Sequence, residues 1–470
     1  MKSNKKIIKP LLALAGPIIL AHFFQAAYQL TDAFWVGRLG EKGVASVAVT
    51  APVIFFMMSL GIGFAIAGAT LTAQYFGAKN EKMVSHSAAQ TMITVVNVAL
   101  ILSIIGYILA PYILRFLGVD DSIFFSALSY LRISFIGMIF NFSFFIFQSI
   151  MRSIGRPQLP VYIVAGTVLL NFILDPLFMF GFGFIPALGV AGTAWATLFT
   201  QSIAAIIGLT TLFGGKFGIK LHRRDFLPDF QFMKRSFLLG LPASIEQSAR
   251  SLGFAVITGL ITSFGTLAVA AYGVGSNLFQ LALMLAFGFA GANAALVGQN
   301  LGAQNPQAAD HTARLSLKLI FLSLTSLGAI IFIFAPAFIR FFVPDDLDVI
   351  REGAFFLRFM APIFGIIGMQ IIVGSTLQAA GATKQSMMLT IISQWVIEIP
   401  LAFLLAKVFN LGILGVWLAF PITNLLAVAV YLTIFFRGRW KNKKIINDDA
   451  RLQTEVIQEA QINEIVTTEN

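Results

Sequence analysis

The sequence contains no cysteine, and charged residues are scarce. With no cysteine among its 470 residues, the chain can form no disulfide, zinc-thiolate site or thiol nucleophile. Only 11% of the residues are charged, whereas 58% are hydrophobic, and this balance excludes an ordinary soluble globular protein. We therefore expect a protein that lives in a membrane.

Sequence motifs for nucleotide hydrolysis and nucleophilic catalysis are also missing. The chain has no G-x-x-x-x-G-K-S/T phosphate loop and no G-x-S-x-G elbow, and its four histidines show no metal-ligand spacing. We therefore expect neither an enzyme nor a bound cofactor. The net charge of +11 does not indicate nucleic-acid binding, because the positive residues recur in short groups between apolar segments.

Twelve apolar segments are each long enough to cross the roughly 30 Å hydrocarbon layer as a helix. Alternating the connecting loops between two sides places 23 Lys and Arg residues on one side and 8 on the other, with Arg250 inside a span. Positive loops face the cytoplasm, so we predict a multi-pass protein of the inner (cytoplasmic) cell membrane with both termini cytoplasmic. The predicted spans are 11–38, 44–76, 88–116, 123–151, 159–182, 188–213, 234–264, 267–301, 313–342, 353–379, 386–409 and 413–436.

The two halves of the chain repeat each other. A shift of 225 positions places Leu39–Ala88 on Phe264–Ala313 with 17 of 50 pairs identical, where about 4 are expected by composition. The fold class predicted is an all-α polytopic membrane protein with twelve transmembrane helices in two six-helix bundles related by internal duplication, with a cavity between them. The predicted units are an N-terminus 1–10, a first lobe 11–213, a linker 214–233, a second lobe 234–436 and a polar cytoplasmic tail 437–470.

Two carboxylates inside predicted spans are the first functional candidates. A charge in a span costs a few kcal/mol, so it usually faces protein or a water path, although a helix-end residue can also reach headgroup water. Asp32 and Asp175 both lie about 9 to 12 Å from the outer ends of their helices, and Asn171 shares the helix face of Asp175. Two close carboxylates need a proton or cation between them. We therefore predict an ion site for H⁺ or Na⁺ in the first half of the chain.

The second half carries its charges elsewhere. Ile257 and Leu401 occupy the repeat positions of the two acids. Glu246 and Arg250 are four residues apart on helix 7 and can form a structural ion pair or a functional charge site. Glu398 has no charged neighbour in sequence and is a candidate protonation site, substrate-cation anchor or hydrogen-bonding carboxyl.

Pro17 is a candidate helix hinge. It follows Gly16 on helix 1, and Pro242 is its repeat counterpart on helix 7. A proline inside a helix removes one backbone hydrogen bond and permits bending, so both a hinge and a harmless kink are open.

Several motifs together carry a family resemblance. They are Asp32-Ala-Phe-Trp-Val-Gly, Gly77-Ala-Lys-Asn with Gly302-Ala-Gln-Asn, the stretch Gln148–Pro157, and Asn171-x-x-x-Asp175-Pro176. With these motifs, the span from residue 11 to residue 436 resembles the multidrug and toxic compound extrusion (MATE) transporters, in particular the bacterial and archaeal branch related to DNA-damage-inducible protein F.

The resemblance implies a secondary active antiporter that exports organic, often cationic or amphipathic, compounds in exchange for H⁺ or Na⁺ by alternating access. It implies a cation site, with Na⁺ ligands if Na⁺ is the ion, formed by Asp32, Asn171, Asp175 and Thr193, with Tyr130 nearby and Pro17 as the bend in helix 1. The acidic pair of another branch has no match, because helix 10 offers only Gln370 and Gln378.

Partners and alternatives complete these expectations. We expect small-molecule substrates, contact with membrane lipid, no nucleic acid and a monomer. A flippase for a lipid-linked or polysaccharide precursor is an alternative, and it would need a large groove lined with basic residues. A membrane scaffold or enzyme is a third alternative.

Overall fold

The computed structural model describes residues 2–183, 186–215 and 218–446, with side chains from residue 7 onward. The part of the predicted tail beyond residue 446 lies outside the described residues, as do two positions of the predicted linker, 216 and 217. Twelve long helices dominate the described chain. They are α1 Lys2–Gly37, α2 Glu41–Gly77, α3 Glu81–Phe116, α4 Asp121–Ser153, α5 Gln158–Phe180, α6 Val190–Gly214, α7 Phe230–Thr262, α8 Thr266–Gly302, α9 Pro306–Phe342, α10 Leu347–Ala379, α11 Thr383–Val408 and α12 Ile413–Arg437.

The apolar composition of the helices explains why they span a membrane. Eleven of them satisfy the length and hydropathy expected of a membrane span in the described ranges, and α7 is the twelfth long helix. Its hydropathy is lower because Glu246 and Arg250 lie in its middle. The predicted fold class, twelve transmembrane helices in two bundles, is confirmed. The first bundle, or first lobe, contains α1 to α6, and the second lobe contains α7 to α12.

Local sequence signals set the helix boundaries in both lobes. Asn80 ends the α2–α3 turn and accepts a hydrogen bond from the backbone N–H of Met83 at 3.1 Å. Its repeat counterpart Asn305 accepts from the N–H of Ala308 at 3.0 Å before α9. An asparagine at this position satisfies a backbone donor that the first helical turn leaves free. The same capping signal therefore fixes the same turn twice.

The first helix of each lobe also packs against the other lobe. Helix α1 contacts α5 of its own lobe and α8 of the second lobe, and α7 contacts α11 and α2 in the corresponding way. The early part of α1, from Leu11 to Ile18, belongs to the buried hydrophobic cluster of the second lobe. Helices α1 and α7 thus link the two lobes.

The lobes meet closely at the terminal face, which is the end of the bundle where α1 begins and α12 ends. Gln74 Nε2 donates to the carbonyl oxygen of Ala379 at 2.8 Å, and its repeat counterpart Gln299 donates to that of Ser153 at 2.7 Å. We call these two bonds the glutamine clasp. Within the described ranges, the hydrogen bonds that join the lobes all lie between mid-depth and this face.

Two glycines permit the close approach beside the glutamine clasp. A Cβ atom at Gly77 would collide with the carbonyl oxygen of Gln299, and one at Gly302 would collide with the carbonyl oxygen of Gln74. Because no other residue lacks a Cβ atom, only glycine allows the ends of α2 and α8 to touch through their backbones. The repeated Gly-Ala motif is therefore part of the contact between the lobes.

Residues 439–446, which we call the C-terminal strap, cross from the second lobe to the first at the terminal face. Lys443 Nζ donates to the carbonyl oxygen of Gly381 at 2.7 Å, on the second lobe. Burial lowers the pKa of Lys443, because desolvation disfavours the charged ammonium. Ile445 is only 7% exposed and belongs to the hydrophobic cluster of the first lobe. The strap therefore contacts both lobes.

Candidate functional site

The structure places the two candidate carboxylates of the first lobe at one depth. Asp32 lies five residues before the end of α1 at Gly37, and Asp175 lies five residues before the end of α5 at Phe180. Both helices run from the terminal face to the opposite face, and α1 packs against α5. At 1.5 Å per residue, each acid is about 8 Å from the end of its helix.

Asp32, Asp175 and Asn171 come together between α1 and α5. Asn171 and Asp175 are both fully buried, and Asn171 Nδ2 donates to Asp175 Oδ1 at 3.2 Å. The four-residue spacing puts these two side chains on one face of α5, one turn apart. Asp32, which is half-buried, interacts with both of them across the helix interface.

Three buried oxygen atoms of this cluster have no hydrogen-bond partner among the described residues. They are Asp32 Oδ1, Asp175 Oδ2 and Asn171 Oδ1. A buried acceptor without a partner costs free energy, and two carboxylates in one buried site also repel each other. The arrangement can therefore hold a proton between the carboxylates or accommodate a cation that prefers oxygen ligands.

Helix α6 contributes hydroxyl groups to the same site. Thr193 is 1% exposed, but its Oγ1 donates to the carbonyl oxygen of Val190 at 2.9 Å within its own helix. The threonine that interacts with Asp32 is Thr197, one turn further along α6. The sequence reasoning missed Thr197, although its i,i+4 spacing from Thr193 on an apolar helix is a usable signal.

Two tyrosines surround the carboxylates. Tyr28, one turn before Asp32 on α1, forms a hydrogen bond through its hydroxyl with Thr200 Oγ1 at 2.6 Å. This bond ties α1 to α6, and the sequence reasoning did not identify it. Tyr130 on α4 lies near enough to both Asp32 and Asp175 for their charges to act on its hydroxyl.

The candidate hinge Pro17 is distant from the carboxylates. It lies inside α1, which is continuous from Lys2 to Gly37, fifteen residues before Asp32. That spacing corresponds to about 22 Å along a helix. Its role as a bend in another conformation remains a prediction.

The second lobe has a buried carboxylate whose partners are all present. Glu246 is 2% exposed and accepts hydrogen bonds from Arg250 Nη2, Gln378 Nε2 and Thr390 Oγ1, each at 3.1 Å. Arg250 also donates to Thr390 Oγ1 at 2.9 Å. The i,i+4 pair of Glu246 and Arg250 is therefore formed and stabilised by its neighbours.

Glu398 lies beside an irregular part of α11. Glu398 is the last residue of a π-helical segment, Ile392–Glu398, and a second such segment covers Leu404–Val408. π-Helical turns redirect side chains and often occur at functional sites. Glu398 lines a cavity of about 120 Å³ within the second lobe, together with Arg250, Gln370 and Asn424.

A larger cavity of about 200 Å³ lies between the lobes. The first lobe lines it with His22 and Arg152, and the second lobe with Glu246, Arg250 and Phe287. It is bounded towards the terminal face by the glutamine clasp. A central cavity that both lobes line can change its accessibility when one lobe moves against the other.

The described residues contain no group of three or more His, Asp or Glu side chains that could hold a metal ion. The Asp32 cluster has two carboxylates, and its other oxygen atoms come from an amide and hydroxyl groups. A set of oxygen ligands in which most are uncharged fits a monovalent ion or a proton better than a divalent metal ion.

Comparisons with known proteins agree with this architecture. The chain is 26% identical over 444 residues to the probable multidrug resistance protein YpnP of Bacillus subtilis, covering 94% of this chain and 98% of that protein. It is 28% identical over 428 residues to the FAD transporter of Shewanella oneidensis, covering 90% and 93%. The crystal structure of a MATE protein in complex with MaL6 has the same fold, with a TM-score of 0.86 at 23% identity, covering 93% and 97%.

A family model identifies the chain. The model described as MatE matches residues 17–177 and 242–404, which together form more than half of the sequence. The two matches begin 225 residues apart, which is the offset of the internal repeat. Members of this family are transporters and not enzymes. The chain is a multi-pass membrane protein that belongs to the MatE family of multidrug efflux transporters.

Proposed function

We propose that this transporter exports organic compounds by antiport, using the Asp32 cluster as the binding site for the driving cation, H⁺ or Na⁺. The observation that carries the proposal is the set of three buried, unpartnered oxygen atoms of Asp32, Asp175 and Asn171. Each is an acceptor, so a proton or a cation relieves both the unmet hydrogen bonding and the carboxylate repulsion.

In alternating access, the cation and the substrate favour different conformations of the protein, so the binding of one opposes the binding of the other. We infer that the terminal face is cytoplasmic, because the loops at that end carry 23 of the Lys and Arg residues. The glutamine clasp joins the lobes at this face, and we infer that the central cavity is reached from the outside in this conformation. A cation that binds from the outside then stabilises one arrangement of the two lobes, and the substrate stabilises another.

Helix α1 is the element through which cation binding acts on the other lobe. Asp32 and the Tyr28 hydroxyl attach one half of α1 to α5 and α6, whereas Leu11 to Ile18 pack in the core of the second lobe. A change in the charge of the Asp32 cluster alters the contacts of α1 with α5 and α6. It leaves the contacts of Leu11 to Ile18 with the second lobe unchanged. The charge state of the site is thereby linked to how α1 joins the lobes.

The substrates are small organic molecules. Support comes from the relatives, which include proteins named for multidrug resistance and one named as an FAD transporter. Neither the family match nor these names support a lipid or polysaccharide flippase.

The test is dye transport by the purified protein in proteoliposomes, with proton and sodium gradients imposed separately. We expect one gradient to drive transport and Asp32→Asn to abolish the response, because the neutral amide removes the charge that the cation balances. Asp345→Asn is the matched control, since this acid is exposed at the opposite face before α10. Normal gradient-driven transport by the Asp32→Asn protein would refute the coupling site.

A further inference from the structure

Arg152 has a positive charge with which no carboxylate of the described residues forms an ion pair. It lies in the last turn of α4, is half-buried and lines the central cavity. Its Nη2 donates to Ser149 Oγ at 2.8 Å, and no described carboxylate forms an ion pair with it. In the sequence, Arg152 counts among the positive loop residues that indicate the orientation of the helices. In the structure, its side chain faces the space between the lobes.

The internal repeat shows what Arg152 lacks. Its counterpart in the second lobe is Gln378, which donates to Glu246 at 3.1 Å. The residue of α1 that corresponds to Glu246 is Ala21. In the second lobe the neutral donor Gln378 therefore faces the acid Glu246. In the first lobe the cation Arg152 occupies the position of the donor, and the methyl group of Ala21 occupies the position of the acid. Even a half-buried guanidinium without a counter-charge loses part of its hydration and is costly.

The remaining charges of the central cavity do not compensate Arg152. The ionisable groups that line it are His22, Arg152, Glu246 and Arg250. Arg250 and two neutral donors already satisfy Glu246. Glu398 is the other carboxylate nearby, and it lines the separate cavity of the second lobe, where Arg250 faces it. The excess positive charge is therefore localised at Arg152, on the first-lobe wall.

We infer that the central cavity binds compounds that carry an acidic group, such as a carboxylate, sulfonate or phosphate, with that group on the guanidinium of Arg152. This inference rests on the proposed export function and specifies its substrates. A guanidinium binds such oxyanions through two parallel hydrogen bonds. Phe287 supplies an aromatic wall for the rest of the molecule. The inferred substrates are therefore acidic or zwitterionic compounds, in place of the often cationic compounds that the family resemblance implies.

A matched pair of dyes tests the inference without any gradient. The probes are a rhodamine with a free carboxylate and the ethyl ester of the same dye, which differ only in the acidic group. We expect the purified full-length protein to bind the free acid at least about tenfold more tightly by fluorescence anisotropy, the usual gain from a charge-assisted hydrogen bond. Arg152→Gln, which installs the residue of the second lobe, should remove this preference.

Two further variants make the result specific to Arg152. Arg156→Gln removes the same charge from an exposed position four residues later and should keep the preference for the acid. Ala21→Glu should weaken the preference while leaving Arg152 in place, because it supplies the acid that the repeat predicts. A monodisperse profile in size-exclusion chromatography establishes that each variant is folded. If the Arg152→Gln variant is not folded, Ala21→Glu, which leaves Arg152 in place, tests the preference instead.

The outcomes separate the inference from the proposed function. Equal binding of acid and ester, or a preference that persists in Arg152→Gln, overturns the inference. If both dyes are nevertheless transported in response to a cation gradient, the antiport function stands. Failure of the unaltered protein to bind either dye contradicts the inference and the multidrug export function together.

Discussion

The two lobes share one helical plan but use buried charge in opposite ways. The first lobe has Asp32 and Asp175 with unpartnered oxygen atoms, and the second has Ile257 and Leu401 at the same repeat positions. The buried acid of the second lobe, Glu246, instead has three donors. One duplicated scaffold therefore contains an unsatisfied acidic site and a satisfied one. Unmet hydrogen bonding, and not burial alone, distinguishes the proposed cation site from the structural network.

The largest effect is expected from making the first lobe resemble the second. Asp175→Leu installs the residue found at Leu401 and removes the carboxylate that Asp32 faces. Gradient-driven dye transport in proteoliposomes should fall by about a hundredfold, the upper end of usual coupling strengths. The thermal unfolding temperature should not fall, because an apolar side chain replaces a costly buried acid.

The reciprocal change, Leu401→Asp, provides the control. It places an acid in the second lobe without the asparagine and threonine partners of the first, and it should lower the free energy of unfolding by about 3 kcal/mol. A protein that keeps normal stability and gains a second cation dependence would show that the lobes are interchangeable, which contradicts the comparison.

A smaller effect is expected from opening the satisfied network. Glu246→Gln removes the carboxylate that forms an ion pair with Arg250. The change should cost about 2 kcal/mol of stability, since Arg250 retains some contact with solvent. The double variant with Arg250→Gln should recover much of the loss, because the uncompensated charge is gone. Thermal unfolding in detergent measures both. Equal destabilisation by the single and double variants would mean that the pair does not act as a unit.

The smallest effect is expected from weakening the glutamine clasp, to which each lobe contributes one equivalent hydrogen bond. Gln299→Ala removes one bond of the glutamine clasp, worth about 1 kcal/mol, and should increase opening of the terminal face about fivefold. Because the chain has no cysteine, a single Ala294→Cys residue in the central cavity reports this opening through its labelling by a membrane-impermeant maleimide that is added only on the side of the terminal face.

Gln74→Ala should increase labelling to a similar extent, because it removes the equivalent bond of the other lobe. Gln307→Ala, at an exposed position of α9, should leave the labelling rate unchanged. Unequal responses of Gln74→Ala and Gln299→Ala would show that the clasp is not functionally symmetric.

Much of this architecture could be predicted from the sequence, since membrane spans and repeats depend on composition and periodicity. The candidate acids Asp32 and Asp175 were identified because a charge inside an apolar segment is conspicuous. Their contact with Asn171 followed from equal depth and i,i+4 spacing. Thr197 was missed because hydroxyl side chains are common in membrane helices and often bond to their own backbone, as Thr193 does.

Other features needed the three-dimensional arrangement. Arg152 directly follows the predicted span 123–151, so sequence alone assigned it to the loop charges. In the structure α4 continues to Ser153 and packs against α8, and Arg152 lines the cavity. The π-helical segments of α11 depend on tertiary contacts and have no simple periodic signal. The C-terminal strap was also missed, because a short basic segment resembles any polar extension.

The strap has a consequence for the order in which the protein is built. Ile445 is among the last described residues to leave the ribosome, yet it completes the hydrophobic cluster around Phe64 in the lobe that is made first. The first lobe is therefore synthesised before the residue that completes this cluster, and its packing at the terminal face is complete only after the second lobe has been made.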